Sequence, residues 1–140
     1  MLTDDAEAAT RNAGGAPLAR PLLPDARMTR DAARFTAEFH ASVIREVEQA
    51  VLGSPIVVIG MAWNAHVRNV LRAFTDAKLT FRYLEYGSYV SMWRARLAIK
   101  LWSGWPTFPQ VFIRGVLFGG EDLTLAALAD GSLRKTLDQA

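Results

Sequence analysis

The chain of 140 residues contains no cysteine and two histidines. The missing residue type bounds the chemistry first. A thiolate is the nucleophile of thiol–disulfide exchange and a ligand for soft metals, so disulfides, thiolate metal sites and a cysteine nucleophile are all excluded. Histidine is the next candidate, as base, nucleophile or ligand. His66 has no second histidine and no paired carboxylate within motif distance, and His40 falls on a different expected helix. A metal site needs three or four ligands, so His66 is read as an exposed loop residue. Glu85 and Asp76 show no paired-carboxylate spacing, and the serines and threonines sit in no nucleophile elbow. Asp122 follows Gly119-Gly120-Glu121, where a carboxylate can cap a helix. Arg96 and Lys100, four residues apart, read by spacing alone as a solvated helix face.

The elements that must position such groups belong to one domain with a tail. Hydrophobic residues make up 51% of the chain, enough for a core, and the net charge is only +2. Arg68, Arg72, Arg82, Arg94, Arg96 and Lys100 are spread over separate segments rather than clustered on one face. No nucleic-acid partner is expected from that distribution. The longest apolar run, Pro55 to Ala62, is too short to span a bilayer, so no membrane partner is expected. The opening Met1-Leu2-Thr3-Asp4-Asp5-Ala6-Glu7 is acidic and lacks an apolar core, which matches neither a secretory signal nor a mitochondrial presequence. A cytoplasmic location is the expectation.

Residues 1–33, rich in Ala, Gly and Pro and nearly without aromatics, read as a disordered N-terminal tail, and residues 34–140 as the folded domain. A helical pattern begins at Asp31, with Phe35, Phe39, Val43, Val47 and Val51 on one stripe, and ends at Gly53. Pro55 to Gly60 reads as a buried, central strand. A helix follows from Asn64 to about Ala77, a strand from Leu79 to Leu84, and a helix from Val90 to Trp102. Gln110 to Ile113 and Val116 to Phe118 form a hairpin across Arg114-Gly115. Helices at 122–129 and 133–137 close the chain. The order αβαβαββαα predicts a four-stranded mixed sheet flanked by helices, an α/β fold.

Four stretches carry a resemblance. They are Arg96-Leu97-Ala98-Ile99-Lys100-Leu101-Trp102-Ser103, Trp105-Pro106-Thr107-Phe108-Pro109-Gln110, Gly119-Gly120-Glu121-Asp122-Leu123 and Gly131-Ser132-Leu133. Together they resemble the glutaredoxin family, and within it the monothiol branch, with its Trp-Pro-Thr-x-Pro-Gln block and Gly-Gly-Cys-Asp-Ile turn. The resemblance covers about residues 36–137 and implies a thioredoxin-like fold. It also implies a glutathione groove. The family's proline matching Pro109 is cis, letting the backbone of Phe108 meet an extended peptide. Asp122, with Gly120 and free amides beside it, matches the contact for the γ-glutamyl end. Arg96 and Lys100 match the cations that hold the glycyl carboxylate, and Thr107 completes the expected ligand set.

The same resemblance locates what is missing. Asn64 occupies the place of the family's nucleophilic cysteine, and Val67 the fourth position of that motif. Asparagine is a strong N-cap residue, so the helix start is kept while the nucleophile is lost. No catalytic residue is therefore assigned, and no cofactor is required. Glutathione binding is possible, whereas a stable [2Fe–2S] cluster held by the chain's own residues is not expected. The lysine that the monothiol branch carries before this loop is also absent, with Gly60-Met61-Ala62 in its place. The expected function is that of a cysteine-free glutaredoxin-like protein that binds glutathione, or an extended segment of a partner protein, without thiol–disulfide exchange. One alternative is a pure interaction module, with Trp63, His66 and Trp105 filling the groove. The other is a glutathione-dependent transferase-like enzyme using His66 with Asp122 or Glu121.

Overall fold

A computed structural model describes residues 18–139 of the chain. At the centre of the sheet lies β1, Ile56–Gly60, whose residues are all buried. The pleat of a strand sends alternate side chains to opposite faces. Val57 and Ile59 join a cluster with Val47, Val51, Ile99 and Phe112, and Ile56 and Val58 join a second with Val70, Phe74, Val111 and Leu133. The unbroken apolar run of β1 is what a strand covered on both faces needs.

The strand β2, Arg82–Glu85, pairs parallel with β1. On the other side, β3, Gln110–Ile113, pairs antiparallel with β1, and β4, Val116–Gly119, pairs antiparallel with β3. The order is β2-β1-β3-β4, the mixed four-stranded sheet read from the sequence. The helices are α1 (Arg30–Glu38), α2 (Ala41–Gly53), α3 (Ala65–Asp76), α4 (Trp93–Ser103), α5 (Glu121–Asp130) and α6 (Ser132–Leu137). Residues of α2 and α4 supply most of the helical side of the first cluster, and those of α3, α5 and α6 that of the second.

The chain divides into two units, Met1–Thr36 and Ala37–Ala140. In the first, Asp25–Arg27 form a 3-10 turn, and the Thr29 hydroxyl accepts from the Ala32 amide at the start of α1. Residues 1–17 of the expected tail lie outside the described residues.

Three boundaries differ from the sequence reading. The single helix expected from Asp31 to Val51 is two, because His40 adopts a left-handed conformation (φ 48°) and interrupts the helical ladder. Val47 and Val51 are buried as the stripe required, while Phe35 is 67% exposed. β2 begins at Arg82 rather than Leu79, although Leu79 and Phe81 pack on the second cluster. Left-handed Met92 (φ 57°) delays α4 to Trp93.

The register fixes where function can reside. Ile59, at the end of β1, lies opposite Gln110 at the start of β3, and Val111 lies opposite Gly119 at the end of β4. Three connections therefore meet at one end of the strands: residues 61–64 before α3, residues 104–109 before β3, and Gly120 before α5. Among the described residues no helix is long and apolar enough to cross a membrane.

Candidate functional site

Asn64 caps α3. Its backbone is extended, and its Oδ1 accepts from the Val67 amide at 2.9 Å. That satisfies one of the donors every helix start leaves open. Its Nδ2 donates to the Tyr89 hydroxyl at 3.2 Å. The Val67 side chain is buried in the core beneath Gly60, where an added Cβ would lie 2.8 Å from its Cγ1. Position 67 thus faces inward.

The segment before β3 supplies one wall of the site. The Phe108–Pro109 peptide bond is cis, and both residues are buried. Gln110, fully buried, donates from Nε2 to the Trp105 carbonyl at 2.9 Å and ties that segment to the strand. The Trp105 ring lies across the end of β4: a Cβ on Gly119 would be 2.9 Å from its Cη2, and one on Gly120 would be 3.3 Å from its Nε1. Gly119 also has φ +114°, which an L side chain rarely adopts. The paired glycines are what let the indole lie flat against the backbone.

These parts enclose a cavity of about 440 Å³ lined by His66, Trp105, Thr107, Phe108, Gly120, Glu121, Asp122 and Leu123. Of the residues singled out in the sequence, the structure brings Thr107, Phe108, Gly120 and Asp122 to this cavity. Asp122 is exposed in the first turn of α5, and the helix's N-cap, Gly120, contributes no capping side chain. Lys100 stands at the margin, with its Nζ 5.7 Å from the centre of the Phe108 ring, a cation–π contact. Pro109 lies behind Phe108, its carbonyl 3.5 Å from where a Cβ on Gly120 would be.

Arg96 is placed elsewhere. It is 7% exposed, and its Nη1 donates to the Tyr86 carbonyl at 2.9 Å and to the Ser91 carbonyl at 2.5 Å. These contacts tie the N-terminal end of its helix face to the 86–91 loop, and Arg96 is not among the residues that line the cavity. Trp63, expected as a possible plug, is 69% exposed and does not line the cavity.

Of the two carboxylates that the sequence offered as partners for His66, the structure pairs it with Glu121. His66 Nδ1 lies 2.6 Å from Glu121 Oε1, and Asn69 Nδ2 donates to Glu121 Oε2 at 2.7 Å. Two groups on α3 thus converge on one carboxylate at the start of α5. The His66 bond first, then that of Asn69, holds the Glu121 carboxyl below the ordinary carboxylate range. The partners are 55 residues apart in sequence, so no local spacing announces them. What the sequence did not give was the choice between the two carboxylates, or Asn69 as the second donor.

No family model matches the chain. It is 45% identical over 107 residues to a glutaredoxin-like protein of Dictyostelium discoideum, covering 76% of this chain and 87% of that one. It is 49% identical over 45 residues to the chloroplastic monothiol glutaredoxin-S7 of rice (Oryza sativa subsp. japonica), 32% of this chain and 27% of that protein. Among solved structures it resembles a buckwheat glutaredoxin–glutathione complex, with TM-score 0.64 and 25% identity over 71% of this chain and 91% of that one.

Proposed function

The chain belongs to the glutaredoxin family and has its fold, and from that premise we propose that it binds glutathione, or the extended segment of another thiol peptide, without thiol–disulfide exchange. The observation that carries the reading is the cavity itself. It is open, and it gathers Thr107, Phe108, Gly120 and Asp122 from two connections and the start of α5 at one end of the strands. A buckwheat relative of the same fold is known as a complex with glutathione.

The chemistry of each wall supports a zwitterionic, extended ligand. Asp122 carries a carboxylate beside the open amides of a helix start, a setting that takes both charges of an amino-acid end group. Lys100, beside Phe108, supplies a cation for a terminal carboxylate. Arg96 donates to two carbonyls of the 86–91 loop, and the reading does not depend on it. The absence of exchange follows from the sequence. A mixed disulfide needs a thiolate on the protein, and the chain has no cysteine. Asn64 caps the helix with an amide that has no anionic form at neutral pH. The residues do not fit a [2Fe–2S] cluster either, since the chain offers no thiolate to either iron.

The test is a two-dimensional NMR titration of labelled protein with reduced glutathione. Saturable shifts at Phe108 and Gly120, lost in Asp122→Ala, are expected. No shift at millimolar ligand overturns the reading and favours a scaffold that meets protein partners instead.

A further inference from the structure

The site holds an acid–base pair where a thiol would be expected. A carboxylate only accepts hydrogen bonds, and the Glu121 carboxyl is held in its ionised form by two contacts from α3. The 2.6 Å contact therefore places the proton on His66 Nδ1. In the neutral ring that leaves the Nε2 lone pair as the basic one. The His66 side chain is 67% exposed and lines the cavity, and it is Nδ1 that faces Glu121, which leaves Nε2 for a ligand. A carboxylate that fixes the tautomer of a histidine and faces the imidazolium it becomes is the logic of a general base.

We propose that the His66–Glu121 pair ionises the thiol of the peptide bound in the cavity, so that the nucleophile this chain lacks is supplied by its ligand. This rests on the binding function proposed above. In the step, the S–H proton passes to His66 Nε2, and the sulfur keeps the electron pair as a thiolate. The resulting imidazolium is flanked by the thiolate at Nε2 and by Glu121 at Nδ1. No oxidant or reductant takes part. The other charged groups at the cavity act in opposite directions. Asp122 favours the imidazolium and opposes the thiolate, while Lys100, at the Phe108 margin, favours the thiolate. Asn69 is the positioning residue, since it touches only Glu121 Oε2.

The experiment separates binding from ionisation with two probes. S-methylglutathione has no thiol proton and reports binding alone. Glutathione at stoichiometric protein concentration reports ionisation, through the ultraviolet absorbance of the thiolate followed against pH. In the wild type the bound thiol is expected to titrate about 1–3 pH units below the free peptide. His66→Ala and Glu121→Gln are expected to bring it back toward the free value, each compared at a ligand concentration that the S-methylglutathione titration shows to saturate that variant. A bound thiol that titrates like the free one, or as low in His66→Ala as in the wild type, overturns the proposal while leaving the binding function standing. Failure of S-methylglutathione to bind overturns the binding function, and this inference with it.

Discussion

At the scale of single residues, Asn64 ties the start of α3 in two directions. Its Oδ1 satisfies the Val67 amide, and its Nδ2 reaches the Tyr89 hydroxyl. Asn64→Ala removes both, and the loss of the cap predicts a fall in unfolding free energy of about 1 kcal/mol by chemical denaturation. A change within experimental error would mean that the cap is redundant. Asn64→Cys places a thiol at the same helix start, where open amides and the helix dipole favour the thiolate. Its pKa is expected below the unperturbed value of about 8.5, measured by the pH dependence of alkylation. Arg96 makes the complementary point. Its guanidinium ties two carbonyls of the 86–91 loop, and charged hydrogen bonds of that kind are worth about 1.5–3 kcal/mol. Arg96→Met is therefore expected to cost stability and leave ligand shifts at Asp122 in place. The reverse outcome, a stable protein that no longer binds, would return Arg96 to the ligand. The sequence showed which residue types were present and that Arg96 and Lys100 share a face. It did not show that one end of that face is roofed by a loop, because the roof is tertiary.

At the scale of elements, the turn between β4 and α5 is set by a side chain from another segment. The Trp105 ring occupies the space that a Cβ on Gly119 would need, and the backbone there has φ +114°. Gly119→Ala therefore combines a clash with backbone strain, and a loss of about 1–3 kcal/mol is expected. Gly120→Ala, with its closest approach at 3.3 Å and no positive φ, is expected to cost less. Equal losses in thermal or chemical denaturation would refute the role given to Trp105. Both glycines were legible in the sequence as a turn before a helix, but their reason was not, since Trp105 lies fourteen residues earlier in the chain. The strands and most helices were legible because each buries a repeating apolar face. The misplaced boundaries share one cause. Apolar alternation reports burial, whereas helix and strand ends are decided by hydrogen bonding. Leu79 and Phe81 pack on the core without joining β2. His40 and Met92 break the ladder with a left-handed turn that no side-chain pattern marks.

At the scale of the whole molecule, the antiparallel pairings of β1 with β3 and β3 with β4 bring the starts of α3 and α5 to the same end of the sheet. That arrangement turns His66, Asn69 and Glu121 into one cross-link at the mouth of the cavity. Its pH dependence follows from the depressed Glu121 carboxyl. A carboxyl whose folded pKa is lowered binds its proton more readily in the unfolded chain. The stabilisation is then fully present above the ordinary carboxylate range and is lost as pH falls through the lower, folded value. At neutral pH the wild type should be more stable than Glu121→Gln, and the gap should close as the pH drops below the ordinary carboxylate range. The Asp130 carboxyl is also lowered, first by its hydrogen bond with Ser132. It is common to both proteins and drops out of the difference. Urea unfolding of the two proteins across the acid range measures that difference directly. A gap that stays constant with pH would show that Glu121 contributes only its shape. A gap that widens toward acid would reverse the sign of the linkage and remove the ionised carboxylate that holds the proton on His66 Nδ1.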